Sequence, residues 1–383
     1  MSLGESVGNV QLMQRINRLT VLNYIRKNKE VSRPEIIKET GLSSSSITNI
    51  VKYLLDEGFI KKKGTIDTGE IGRRAQLLEY DPNCMHILGV NIEYDSLTIG
   101  ITDTYGNLIR HKQFNILPFM TWESIYDILV NESKGLINQD QTGRPVAVGI
   151  AISAIVQDKG NLIISAAHKW LIRNAQKDLS KVFELPVYIV NSSLTKAVCC
   201  MSGTGSQDFK NTVFMDLSDG VGIVNFYKGN VNGGVIGEIG HTCVNPDGIK
   251  CFCGNTGCLE LYCSKPKIIE DIKNLKGIEY EYNKIISMAA AKDKDVLTVL
   301  DEIGKYLGVA LINTVNLFNP DMIYINGGDL LKFPFIYQSA LKRCYESIHS
   351  CFTEHLHLET VDMGVIQSME GLGIYVTDKI FSF

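Results

Sequence analysis

Cys251-Phe252-Cys253-Gly254-Asn255-Thr256-Gly257-Cys258-Leu259-Glu260, with Gly237-Glu238-Ile239-Gly240-His241 shortly upstream, is the stretch on which the reading of this 383-residue chain turns. Three thiolates and one imidazole make a Cys3His set, the usual composition of a closed, four-coordinate structural zinc site. Gly254 and Gly257 give the loop turns tight enough for Cys253 and Cys258 to converge on one ion. The chain has ten cysteines, and outside this cluster they are scattered, which is not how a disulfide framework is spaced. His241, Cys251, Cys253 and Cys258 are therefore the expected ligands of a structural Zn2+.

Around this loop the pattern is that of an α/β body. His86–Ile92, Leu97–Thr102 and Leu108–Phe114 read as consecutive strands with tight turns between them. A helix over Trp122–Ile137, a buried strand over Val146–Ile152, a helix over Ala175–Phe183 and a strand over Val187–Val190 follow. The theme restarts with strands at Val213–Leu217 and Gly222–Tyr227, a helix over Val299–Phe318 and the strand Met322–Ile325. Such alternation means sheets covered by helices, in two lobes.

The first 82 residues are different. Val21, Leu22 and Ile25 mark a short amphipathic helix over Val21–Asn28. Ser32-Arg33-Pro34-Glu35 has the form of a capping box for a second helix that should stop at Gly41. A third helix aligns Ile47, Ile50, Val51, Leu54 and Leu55 on one face and ends at Gly58. Its other face offers Ser44, Ser45, Ser46, Thr48, Asn49 and Lys52, short hydrogen-bonding groups and a cation of the kind a major-groove helix needs. A hairpin follows, out through Phe59, Ile60, Lys61, Lys62 and Lys63 and back through Gln76, Leu77 and Leu78. Its tip holds Gly64, Gly69, Gly72, Arg73 and Arg74, and Lys61, Lys62, Lys63, Arg73 and Arg74 are the expected phosphate and minor-groove contacts. Residues 1–80 carry 13 Lys and Arg against 9 Asp and Glu, an excess of four positive charges that leaves −8 on the rest of a chain whose net charge is −4. A basic head on an acidic body places the contact with a polyanion in the head. No apolar run is long enough to span a membrane, and the N-terminus lacks a secretory signature, so a cytoplasmic protein without a membrane partner is expected.

The paired Gly-Glu-Ile-Gly-His and Cys-x-Cys-Gly-x-x-Gly-Cys-x-Glu elements, with the head before them and Asn319-Pro320 after them, resemble the ROK family of repressors and sugar kinases over nearly the whole chain. The resemblance implies a winged helix-turn-helix followed by a two-lobed, actin-like (ribonuclease H-like) sugar-kinase fold with a structural zinc loop. The expected division is 1–82 for the DNA-binding head, 83–195 for the first lobe completed by a C-terminal helix at 369–383, and 196–368 for the second lobe. The resemblance also makes His241 a sugar contact as well as a metal ligand, and Glu238, Glu260 and Asn191 sugar contacts. Members with such a head are transcriptional repressors of sugar metabolism, xylose among the sugars.

Departures from the family pattern decide between repressor and kinase. Where family kinases have Asp-Ile-Gly-Gly-Thr beside the ATP phosphates, this chain has Asn91-Ile92-Glu93-Tyr94-Asp95, which sets a carboxylate against a triphosphate. The family's catalytic base, an Asp after Asn191, is here Ser192, and losing a general base costs about 100- to 10,000-fold. The second phosphate loop reads Ser218-Asp219-Gly220, and a sugar-contacting Asn ahead of Trp170 aligns with Ala166. The expectation is a non-enzymatic, DNA-binding repressor of carbohydrate genes, a homodimer or homotetramer on a double-stranded operator, controlled by a sugar or phosphosugar in an inactive kinase-like cleft. A residual ATP-dependent sugar kinase, and a regulator controlled by a protein partner, are the alternatives.

Overall fold

The computed structural model describes residues 3–28, 30–67, 74–117, 120–139, 143–165, 168–203, 209–218 and 220–382. Gly69, Gly72, Arg73, Ala166 and Asp219, singled out above, lie outside the described residues.

The head consists of α1 (Leu3–Asn28), β1 (Glu30–Ser32), α2 (Arg33–Thr40), α3 (Ser44–Asp56), β2 (Ile60–Asp67) and β3 (Arg74–Tyr80). α1 is 26 residues long and begins well before the expected Val21. Its buried residues Val21, Leu22 and Ile25 sit near its C-terminal end, while Val10, Leu12 and Met13 in its earlier turns are exposed. At α2 the Glu35 carboxylate accepts the Ser32 N–H at 2.6 Å and the Ser32 hydroxyl at 2.8 Å, which holds Glu35 below the usual carboxylate range. The helix ends at Gly41 in the left-handed conformation (φ 68°). The Ser43 hydroxyl caps α3 by accepting the Ser46 N–H at 3.2 Å, and Ile47, Ile50, Val51 and Leu54 face the head core. β2 and β3 form the wing in the order β1-β3-β2.

The first lobe runs β4 (His86–Ile92), β5 (Ser96–Thr102), β6 (Leu108–Asn115), α4 (Trp122–Gln139), β7 (Pro145–Ile152), β8 (Ile155–Gln157), β9 (Leu162–Ser165), β10 (Trp170–Arg173), α5 (Ala175–Phe183), β11 (Val187–Asn191) and α6 (Ser192–Gly203). The second runs β12 (Asn211–Asp216), β13 (Gly222–Tyr227), β14 (Asn230–Gly237), α7 (Lys265–Lys276), α8 (Tyr282–Ala290), α9 (Lys294–Phe318), β15 (Met322–Asn326), α10 (Pro334–Ser347), α11 (Ser350–Thr353), β16 (His357–Val361) and α12 (Val365–Ile380). The two sheets, β11-β7-β4-β5-β6 and β14-β13-β12-β15-β16, share one topology: an antiparallel three-strand meander whose first strand pairs in parallel with a later one, and that with a last one. Every residue of β4 and β5 is buried, so both faces of the sheet are covered there, although Ser96, Thr98 and Thr102 alternate with Leu97, Ile99 and Ile101 along β5.

α6 and α12 join the lobes. They cross so closely that a Cβ at Gly371 would lie 1.8 Å from the Thr195 carbonyl oxygen. α12 begins at Val365, not at 369, and its Leu372 and Val376 share one core with Ile87 and Ala147 of the first lobe and Phe214 and Tyr324 of the second. Beyond α12, Phe381 enters the head core, edge-on to Phe59 (6.2 Å) and Tyr80 (6.4 Å). Arg26 pairs with Asp378, and the Tyr105 hydroxyl donates to the Arg26 carbonyl at 3.1 Å. One helix therefore touches both lobes and, through its last residues, the head. Among the described residues no helix is long and apolar enough to cross a membrane.

Candidate functional site

The loop between β14 and α7 brings the four expected metal ligands together: the ligand atoms of His241, Cys251, Cys253 and Cys258 all lie within 4.8 Å of one another. The sulfurs of Cys253 and Cys258 are 3.6 Å apart, and Cys251 Sγ is 3.7 Å from His241 Nδ1. A tetrahedron of ligands about 2.3 Å from an ion has edges of about 3.8 Å, so these separations fit Zn2+ without rearrangement. Gly257 makes the loop possible, since its φ is 72° and a Cβ there would fall 1.7 Å from the Asn245 carbonyl oxygen. Burial, reinforced by the neighbouring thiols, pushes the Cys258 thiol up to about 12, so a thiolate at that buried position requires a cation beside it. The Asn255 backbone amide pulls the exposed Cys253 thiol down.

His241 turns Nδ1 toward the sulfurs and Nε2 toward Glu260, whose Oε2 is 4.0 Å away. Glu238, Glu260, His241 and Asn191 line one cavity between the lobes, with Ser192, Ser193, Asp216, Gly220 and Gly222 elsewhere on its wall. Burial raises the pKa of both Glu238 and Glu260, while the nearby His241 opposes the rise. Carboxylate oxygens placed here can accept hydrogen bonds from the hydroxyls of a polyol. Asn191 is differently employed: its Nδ2 donates to the Ala154 carbonyl at 2.9 Å and its Oδ1 accepts the Ser193 N–H at 2.8 Å, so it shapes the start of α6. Trp170 is nearly buried, donates Nε1 to the Met120 carbonyl at 3.3 Å and carries the His168 ring stacked 4.1 Å away.

Behind the part of the cavity wall formed by Asp216 and Ser218 lies a buried cluster that the linear sequence hides. Lys196 Nζ lies 3.2 Å from Glu93 Oε1, 3.5 Å from Asp216 Oδ2 and 2.8 Å from Ser218 Oγ, and the side chains of Lys196, Glu93 and Asp216 are each only 4% exposed. Ser192 and Asn91 donate to Glu93 at 3.4 and 3.2 Å; Ser193, Ser218 and Asn326 donate to Asp216 at 2.9, 2.7 and 2.9 Å. Glu93 is thus a neutralised partner in a buried ion cluster, which revises the expectation of a bare carboxylate facing the site. The only signal for Lys196 was its place four residues after Ser192, one turn along a helix. Nothing local announced its partners about 100 residues upstream and 20 downstream.

On the head, Ser44, Ser45, Thr48, Asn49 and Lys52 are exposed along α3, and Ser46 is half-buried. Lys61, Lys62 and Lys63 are exposed on β2, but Lys63 pairs with both Glu30 and Glu79 at 2.8 Å and Lys61 with Glu79 at 3.6 Å. The wing is less basic in effect than its lysine run suggests. Arg74 opens β3 opposite Asp67.

Residues 87–374 match the model of the ROK family, and residues 13–69 match that of the MarR family. The xylose repressor of Bacillus subtilis (strain 168) is 24% identical over 377 residues, 97% of each chain. A crystallised ROK family transcriptional regulator, a homolog of the Escherichia coli MLC protein, superimposes with a TM-score of 0.82 at 24% identity, covering 96% of this chain and 97% of its own. A ROK family glucokinase from Streptomyces griseus, crystallised with glucose and AMPPNP, has a TM-score of 0.60 at 21% identity and covers 98% of its own length but 75% of this chain. With well over half of its residues matched by that one family model, the chain belongs to the ROK family.

Proposed function

We propose that this protein is a DNA-binding transcriptional regulator, a repressor of carbohydrate-metabolism genes, whose kinase-like cleft senses a sugar and performs no phosphoryl transfer. One observation carries the reading: buried Lys196 pairs with Glu93 and with Asp216, which lines the cleft where a family kinase would hold the nucleotide phosphates. A nucleotide entering there would have to displace a buried ammonium from two carboxylates, each of which would then be left unpaired. At the position of the general base, Ser192 already donates its hydroxyl to Glu93 and cannot take a proton from a sugar near neutral pH.

His241, Cys251, Cys253 and Cys258 would hold a zinc ion. The metal supplies a fixed charge that closes the loop and sets the imidazole tautomer. His241 Nε2, Glu238 and Glu260 then orient the hydroxyls of the effector. α3 is the recognition helix, with Ser44, Ser45, Ser46, Thr48, Asn49 and Lys52 toward the major groove and the wing along the phosphates, Lys62 foremost. Reading a near-palindromic operator this way requires a two-fold homo-oligomer. An effector acts by binding one arrangement of lobes and head better than another, and α12 with Phe381 is the element positioned to carry that difference. Selection of duplexes from a random library with the full-length protein, followed by anisotropy of the selected duplex against a panel of sugars, tests the reading. An enriched motif released by one sugar is expected, and failure to enrich any motif would refute it.

A further inference from the structure

We propose that the cleft is built for an amphipathic effector, a sugar carrying an apolar substituent such as an aryl or alkyl aglycone, and that Phe252, Ile155 and Ile164 form the subsite for that substituent. The inference rests on the sensing role given to the cleft above. The cavity that holds Glu238, His241 and Glu260 is also lined by Ala154, Ile155, Ile164 and Phe252, so polar and apolar groups share its surface. Phe252 stands between two of the metal-site cysteines and is 62% exposed, edge-on to His241 with ring centres 5.3 Å apart and an interplanar angle of 83°. Ile155 and Ile164 are direct antiparallel partners of β8 and β9, so their side chains leave the same face of that small sheet side by side, and Ile164 is 36% exposed. A single exposed hydrophobe on a surface needs no explanation. Phe252 beside His241 on the zinc loop and the Ile155–Ile164 pair of the first lobe, lining one cavity together with two carboxyl groups and an imidazole, mark a ligand with two chemical ends.

The polar groups support the same conclusion. The side chain of Asn191 already bonds the Ala154 carbonyl and the Ser193 amide, which leaves Glu238, Glu260 and His241 Nε2 as the main recognition groups for hydroxyls. A bare monosaccharide would engage these and leave Phe252 and Ile164 wet. An apolar group continuing from the sugar would cover them, and covering even a few methylene equivalents strengthens binding about tenfold or more.

Calorimetry on the zinc-loaded full-length protein decides the matter, using D-xylose, D-glucose and N-acetylglucosamine beside their methyl and p-nitrophenyl β-glycosides. The expected result is a p-nitrophenyl glycoside binding at least about tenfold more tightly than its parent sugar, with that preference collapsing toward unity in Phe252→Ala and in Ile164→Ala. The second substitution lies away from the metal loop, and zinc content measured on both variants separates loss of the subsite from loss of the metal. Equal affinity for parent sugar and glycoside, or a preference that survives both substitutions, would overturn the subsite and leave sugar sensing intact. No binding of any sugar or glycoside would overturn the sensing role and the subsite with it.

Discussion

Two regions of one cavity are built on opposite plans. At one place three thiols and an imidazole converge closely enough to hold a metal ion, and Glu238, Glu260 and His241 beside it line the cavity. Beside the serine-lined part of the wall the charged groups are already engaged: Lys196 pairs with Glu93 and Asp216, and the side chains of Ser192, Asn91, Ser193, Ser218 and Asn326 donate to the two carboxylates. On the reading proposed above, internal ion pairing is the means by which such a cleft gives up a nucleotide while the surrounding fold is kept.

The contrast breaks most visibly at the metal. Cys258→Ser, or removal of zinc by a strong chelator, should lower Tm by about 10 °C or more, because binding energy at a structural site is folding energy. Scanning calorimetry together with metal analysis checks this, and a metal-free protein with unchanged Tm would erase the zinc half of the comparison. Next in size is Lys196→Met, which strands two buried carboxylates and should cost about 3–5 kcal/mol in urea denaturation. Adding Glu93→Gln should recover part of that loss, since the second substitution removes one of the stranded charges; a double variant weaker than the single one would mean that the cluster is not the unit described. Ser368→Ala comes third. The Ser368 hydroxyl donates to Asn91 Oδ1 at 2.7 Å and lies 2.6 Å from Thr195 Oγ1, where α12 meets this buried cluster, and leaving these groups unsatisfied should cost about 1–3 kcal/mol by the same measurement. The smallest effect is the surface control. Lys63 lies between Glu30 and Glu79 on the wing in the same one-lysine, two-carboxylate pattern, but exposed to solvent, so Lys63→Ala should leave the denaturation midpoint unchanged within error.

What could be read in advance follows from the range of each interaction. Strands β4, β5 and β13 were legible because each is a short segment rich in β-branched and aromatic residues with turn residues between them, and α2 because Ser32, Glu35 and Gly41 lie within ten residues of one another. The metal ligands were legible because three of the four fall in one short loop. α1 starts earlier than expected although the apolar residues of its first turns, Val10, Leu12 and Met13 among them, are not buried in the head core, and the small sheet β8–β10 was missed because strands of three and four residues barely show an alternation. Lys196, Asp216 and Phe381 were missed for a deeper reason. Their roles depend on partners brought from other elements, so a lysine in the cleft looks like any other lysine until Glu93 and Asp216 stand beside it.

The sharpest single test is titration of the zinc-loaded protein with Mg-AMPPNP, with and without a saturating sugar, followed by calorimetry. A cleft closed to phosphates by Lys196 gives no saturable heat up to about 1 mM nucleotide. Stoichiometric binding well below that concentration, with release of ADP when ATP and the sugar are supplied together, would contradict it.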